Sequence, residues 1–298
     1  VRVFRGAATG NVLVDAPTTR SAIFSRSKLM VVTHCEDTPM ILVNEAAARA
    51  RWGEDVPFEQ HPLIRSEAAC YASTELAVRL AKEHGARLHV LHLTTARELA
   101  FFAAGPVKDK QITVEACVHH LYFDERSYAT RGADIKCNPA VKRAEDREAL
   151  VAAVKAGIID GVATDHAPHT REEKDRSYFK APSGLPLVQH ALPMLLTLAA
   201  RGELSLFDVV ERTSHNVARL FGVQERGFIR EGAYADLALI DSHEFEAQRS
   251  LYPRLKVAFS LDSEQQEDMV WYLPPGADNT RLQAYIDQFF LRLEEDGT

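Results

Sequence analysis

A chain of 298 residues can bury a substantial core as one large domain or two ordinary ones. Its 46% hydrophobic and 26% charged residues place it among soluble globular proteins, and no apolar run approaches the ~20 residues of a membrane span. A net charge of −7 argues against a nucleic-acid surface, which needs a basic patch.

The four cysteines (Cys35, Cys70, Cys117, Cys137) are scattered and form no C-x-x-C pair. That spacing favours reduced thiols and a cytoplasmic location over a disulfide framework or a thiolate zinc site. The opening "VRVFRGAATG" has no charged region leading into an apolar one, so it does not read as a signal peptide. It begins inside what reads as a strand, and the chain is expected to be a piece of something longer.

In chain order, "VRVF" (1–4) reads as a strand followed by the small turn "GAATGN". "KLMVVTHCED" (28–37), "RLHVLHLTT" (87–95), "QITVEACVHH" (111–120) and "GIIDGVATDHAP" (157–168) read as four more strands. Between them lie helical patterns such as 66–85, with Gly85 as a stop, and 144–157. Strands alternating with helices imply βαβ units and a parallel sheet covered by helices. No Gly-rich phosphate fingerprint follows any strand, which disfavours Rossmann and P-loop folds. An α/β fold of the (β/α)8 barrel type fits better.

The reason is chemical. Three strands end in a histidine or acid directly after their apolar run: His34, His92 and Asp165. Strand C-termini of a (β/α)8 barrel converge on one face, where such an enzyme works. Two imidazoles and a carboxylate are ligands suited to zinc or a similar divalent ion. A lone histidine at a strand end is more often structural, but two of them with D-H-A-P-H on a later strand shift the balance toward a site. His89, three before His92, falls on the opposite face of a strand, so only one of them can be a ligand. His119 and His120 read as packing or supporting groups, and Cys35 as a small buried residue.

The segments "VVTHCEDT", "RLHVLHLTTA", "KCNPAVK", "ATDHAPHTREEKD", "YFKAPSGLPLVQHALPMLL" and "SHNVARLFGVQERGFIREGAYADLALID" together resemble the dihydroorotase family of the amidohydrolase superfamily. The similarity runs over about residues 1–241, in the family's order and spacing. It implies an incomplete barrel over residues 1–228, carrying barrel strands four to eight. Residues 229–298 would then supply a fragment of an accessory β-sandwich and a C-terminal tail.

The resemblance further implies that His34 and His92 are metal ligands on barrel strands five and six. Asp165, on strand eight, would contact the metal and shuttle a proton. Asn138, His169, Ala181 and Gly184 would hold the substrate. The implied cofactor is one or two divalent ions, with zinc the expected metal. The implied substrates are dihydroorotate and N-carbamoyl-L-aspartate, with no nucleic-acid or membrane partner.

Two features depart from the family. No H-x-H pair occurs anywhere in the chain, and Arg2 stands where many relatives have a metal-bridging lysine. A guanidinium forms no carbamate and repels cations. Two other readings therefore stay open: a non-catalytic subunit that organises aspartate transcarbamoylase, and a hydantoinase-type cyclic ureidase.

After residue 241 the family leads one to expect further strands of the sandwich and an exit motif, and the tail departs from it. "LPPGADNTRLQAYIDQFFLRLEEDGT" reads as a turn and an amphipathic helix with Leu282, Tyr285, Ile286, Phe289 and Phe290 on one stripe. That stripe would pack on the domain's own surface or form a homodimer contact. Five parallel strands cannot close a barrel, so the open edge needs either residues before Val1 or a second chain.

Overall fold

The computed structural model describes residues 18–234 in full, together with the backbone course of residues 2–5, 17, 238–241, 257–261 and 269–272. The chain divides into two units, Val1–Val223 and Gln224–Thr298.

The first unit contains a parallel sheet of five strands in sequential order: β1 (Arg2–Arg5), β2 (Val31–Cys35), β3 (Leu88–Val90), β4 (Ile112–Cys117) and β5 (Gly161–Ala163). Registers run Phe4↔His34, Val32↔His89, His89↔Thr113 and Cys117↔Ala163. Helices connect successive strands, giving part of an α/β barrel rather than a closed one.

The strands are short because specific residues stop them. After β2 the sequence Glu36-Asp37-Thr38-Pro39 starts the helix Thr38–Trp52, whose N-cap Asp37 accepts from the Met40 amide at 3.0 Å. The helix Glu67–His84 opens on the Ser66 cap and closes on Gly85 at φ 64. It presses Ala69, Cys70, Ala77, Val78 and Ala81 into the core, where Val31, Leu88, Val90 and Val114 of the strands are also buried. Burying a side chain of that kind contributes about 1.5–3 kcal/mol. Exchanging Ala77, fully buried, for a larger residue would push this helix off the sheet.

Two elements differ from the expectation. β3 ends at Val90 rather than running to 95, because the chain turns through His92 at φ 38. β4 ends at Cys117, and Val118–Tyr122 form a helical turn, so His119 and His120 sit on a helix rather than a strand.

The second unit contains an antiparallel three-stranded sheet, ordered β6-β8-β7, of β6 (Ala238–Asp241), β7 (Val257–Leu261) and β8 (Met269–Tyr272). β7 and β8 were not read from the sequence. "VAFSL" and "MVWY" are short β-branched and aromatic runs, masked in the sequence by the acidic, glutamine-rich stretch between them. The amphipathic stripe at Leu282–Phe290 lies outside the described residues. Among the described residues no helix is long and apolar enough to cross a membrane.

Candidate active site

β2 alternates strictly, with Val31, Thr33 and Cys35 buried and Val32 and His34 half-buried. That alternation turns His34 to the face where β3 delivers its own histidine. His92 lies two residues beyond β3 and is 3% exposed. Its neighbours hold it between two strands: the Leu91 amide donates to Thr33 O at 3.0 Å and the Leu93 amide to Glu115 O at 2.8 Å.

His34 Nδ1 and His92 Nε2 stand 3.0 Å apart, their rings crossed at 76°. Two nitrogens on one tetrahedral zinc, at Zn–N of 2.0–2.1 Å, are about 3.3 Å apart. The same contact without an ion is an N–H···N hydrogen bond. His92 Nδ1 is buried with no protein partner. Burial first, then the adjacent His34, pushes the His92 pKa well down, so the ring is neutral and able to ligate.

Behind this pair lies Glu36, whose Oε2 is 3.1 Å from His34 Nε2 and also meets the Arg65 guanidinium. Burial alone would raise the Glu36 carboxyl. Arg65 and His34 outweigh burial and hold it far below the usual carboxylate range. A carboxylate behind an imidazole fixes its tautomer and raises its basicity.

Asp165 lies two residues past β5 at φ 45, with its side chain exposed. Burial pushes the thiols of Cys117 and Cys137 up, and the Asp165 charge adds to the rise at both. The positive φ redirects the chain as it leaves the sheet, and His166 Nδ1 then accepts from the Val188 amide at 3.0 Å. His89, by contrast, is turned to Thr113 Oγ1 at 2.9 Å and Glu115 Oε2 at 3.1 Å. It braces strands.

A second group of side chains and loops gathers beside Asp165. Gly184 adopts φ 147, and a Cβ there would sit 2.5 Å from Ala167 O and 3.2 Å from His169 Cδ2. No other residue fits. The Gly184 amide donates to Lys136 O at 2.8 Å, and Lys136 Nζ donates to Tyr178 O and Ala181 O, both at 2.6 Å. Lys174 Nζ holds Pro182 O and Gly184 O at 3.0 and 2.9 Å. These two lysines therefore pin the 178–184 loop beside Asn138, whose Oδ1 is buried without a protein partner. His169 Nδ1 lies 3.7 Å from Glu173 Oε2.

The structure thus brings His34 into contact with His92, and Gly184 and Ala181 to the segments bearing His169 and Asn138. Asp165 stands at the end of β5, beyond intervening β4. Glu36, Arg65, Lys136 and Lys174 were not read from the sequence. Glu36 was findable, as an acid two residues after His34 and so on the same side of an extended chain. The side chain of Arg2 lies outside the described residues.

The fold is thus a parallel α/β sheet with two imidazoles meeting at its strand ends, and comparison with known proteins gives the family. The amidohydrolase family model matches residues 13–271, and the chain belongs to that family, which is generally metal-dependent. It is 37% identical over 241 residues to a dihydroorotase of Halobacterium salinarum, covering 80% of this chain and 54% of that protein. A dihydroorotase of Carboxydothermus hydrogenoformans is 32% identical over 235 residues, covering 78% and 54%. The chain therefore spans about half the length of the curated relatives it matches. Among solved structures, an L-hydantoinase of Arthrobacter aurescens superposes with a TM-score of 0.72 at 24% identity, covering 81% of this chain and 56% of that one. Dihydroorotase of Saccharomyces cerevisiae superposes at 0.60 and 16% identity, covering 93% and 70%. These two likenesses speak to the fold.

Proposed function

We propose that this chain carries part of the active site of a zinc-dependent dihydroorotase, which interconverts dihydroorotate and N-carbamoyl-L-aspartate in cytoplasmic pyrimidine biosynthesis. One observation carries the reading: two imidazoles at the ends of adjacent parallel strands, His34 and His92, meet at 3.0 Å with a carboxylate behind them. His34, His92 and Asp165 would hold one or two Zn2+ ions. When bound, such an ion polarises the scissile carbonyl and makes a water more acidic.

The remaining work falls to the chain's own groups. Asp165 takes a proton from the attacking water and returns it to the departing ring nitrogen. Asn138 and His169 orient the substrate's carboxylate and ring, while the backbone of Ala181 and Gly184 hydrogen-bonds the ring's amide edge. The buried Asn138 Oδ1, left without a protein partner, suits that role. The curated relatives at 32–37% identity favour dihydroorotate over a hydantoin as substrate.

A second reading rests on Arg2, which stands where relatives bridge metals with a lysine. It makes the chain a non-catalytic partner of aspartate transcarbamoylase. Metal analysis and a dihydroorotate hydrolysis assay on the full-length protein bearing this chain decide between them. Zinc at one or two equivalents, with turnover lost in His92→Ala, supports the enzyme. No zinc and no turnover in the unaltered protein overturns it.

A further inference from the structure

Beside this centre lies a second group of donors that the proposed chemistry does not use. β4 ends at Cys117 and the chain folds at once into the turn Val118–Tyr122. The fold brings the Cys117 thiol and one ring nitrogen each of His119 and His120 within 4.8 Å of one another. All three residues are almost wholly buried, at 0%, 1% and 3% exposure.

The hydrogen bonding leaves the nitrogens open. His120 Nε2 donates to Pro139 O at 3.0 Å, which places its lone pair on Nδ1, and that buried atom has no partner. Neither nitrogen of His119 has one either. Buried polar atoms are ordinarily satisfied, so three open nitrogens in one place require an explanation. A ligating imidazole characteristically donates its other N–H to a backbone carbonyl, as His120 does.

We propose that Cys117, His119 and His120 form a sulfur-containing site for a thiophilic divalent ion of the Zn2+ or Co2+ class, separate from His34 and His92. A thiolate with two neutral imidazoles is a donor set suited to zinc and leaves a fourth position open. Binding forms one metal–sulfur and two metal–nitrogen bonds, and the thiol proton leaves to solvent. Burial keeps both rings in the neutral, ligating form. Burial first, then the charges of Glu115 and Asp165, push the Cys117 thiol up, so it is a thiol until a cation binds. The same two carboxylates place negative charge where that cation would sit. Lys142 acts in the opposite sense at His120. The ion would clasp the junction of β4 with the helical turn, directly beside Asp165.

Cobalt substitution tests this on the whole chain. Titration with Co2+ is expected to produce a thiolate-to-cobalt charge-transfer band. That band should vanish in the near-isosteric Cys117→Ser and persist in His34→Ala. His119→Gln should weaken the affinity behind the band by more than roughly 100-fold, the upper end of what a lost outer partner costs. No band at saturating cobalt overturns the site. So does a band that survives Cys117→Ser, which would assign the sulfur to Cys35 or Cys137. If Cys117→Ser does not fold, X-ray absorption of the zinc-loaded unaltered protein decides: sulfur in the coordination shell supports the site, and nitrogen and oxygen alone overturn it.

Discussion

The two sides of the candidate active site are built differently. On the β2–β3 side, His34, His92, Glu36 and Arg65 are locked by burial and mutual contact, with Glu36 1% and Arg65 6% exposed. On the β5 side, Asp165 and His169 stand on loops, partly in water, beside the 178–184 loop whose carbonyls Lys136 and Lys174 hold. The first side is preorganised by electrostatics in a dry interior. The second can adjust to a ligand. The proposed ring hydrolysis would use both, with fixed metal ligands on one side and a movable proton carrier and substrate clamps on the other.

The largest effect should come from breaking the dry side. Glu36→Ala leaves Arg65 buried and unpaired, a change that costs about 3–5 kcal/mol for a buried ion pair. Urea unfolding should show it directly, and His34 should lose its fixed tautomer as well.

A change on the loop side should do less to the fold and more to the site. Gly184→Ala places a methyl against Ala167 O at a backbone conformation near-exclusive to glycine, costing on the order of 1–3 kcal/mol. Faster proteolysis of the 178–184 loop, with KM for dihydroorotate rising more than kcat falls, would confirm that the damage is local.

The two sides are tied together by His61, which separates them further by pH. Its Nε2 donates to Cys137 O and its Nδ1 accepts from the Tyr178 hydroxyl, both at 2.7 Å. Burial first, then Arg65, holds its pKa well below 6.5. The unfolded chain therefore binds a proton near pH 6.5 that the folded one refuses. Stability from this group is complete above pH 6.5 and falls by about 1.4 kcal/mol per pH unit below it, until the folded pKa is reached. Denaturation midpoints from pH 7 to 5 should show that slope, and His61→Gln should reduce it.

The smallest effect belongs to Thr170, which caps the short helix Arg171–Lys174 through the Glu173 amide at 3.3 Å. Thr170→Ala should leave the melting temperature nearly unchanged and speed amide exchange at 171–174. A large loss of stability there would show the loop side to be as rigid as the other.

How far the sequence discloses this follows the same division. His34, His92 and Asp165 are visible because each interrupts an apolar run where a strand ends. Parity separates His89 from His92, and the structure turns His89 to Thr113 and Glu115. Lys136 and Lys174 are invisible, because lysine reads as a surface residue unless the carbonyls it satisfies are known. His119 and His120 mislead for a related reason: alternation seems to continue past Cys117, while the backbone has already turned into a helix. β7 and β8 escape notice since each is only four or five residues long, set apart by a polar stretch.

Zinc-edge anomalous diffraction from zinc-loaded crystals tests the central claim most directly. The account predicts a peak about 2.0–2.1 Å from both His34 Nδ1 and His92 Nε2. A map in which the two rings remain hydrogen-bonded to each other at full zinc occupancy elsewhere would contradict it.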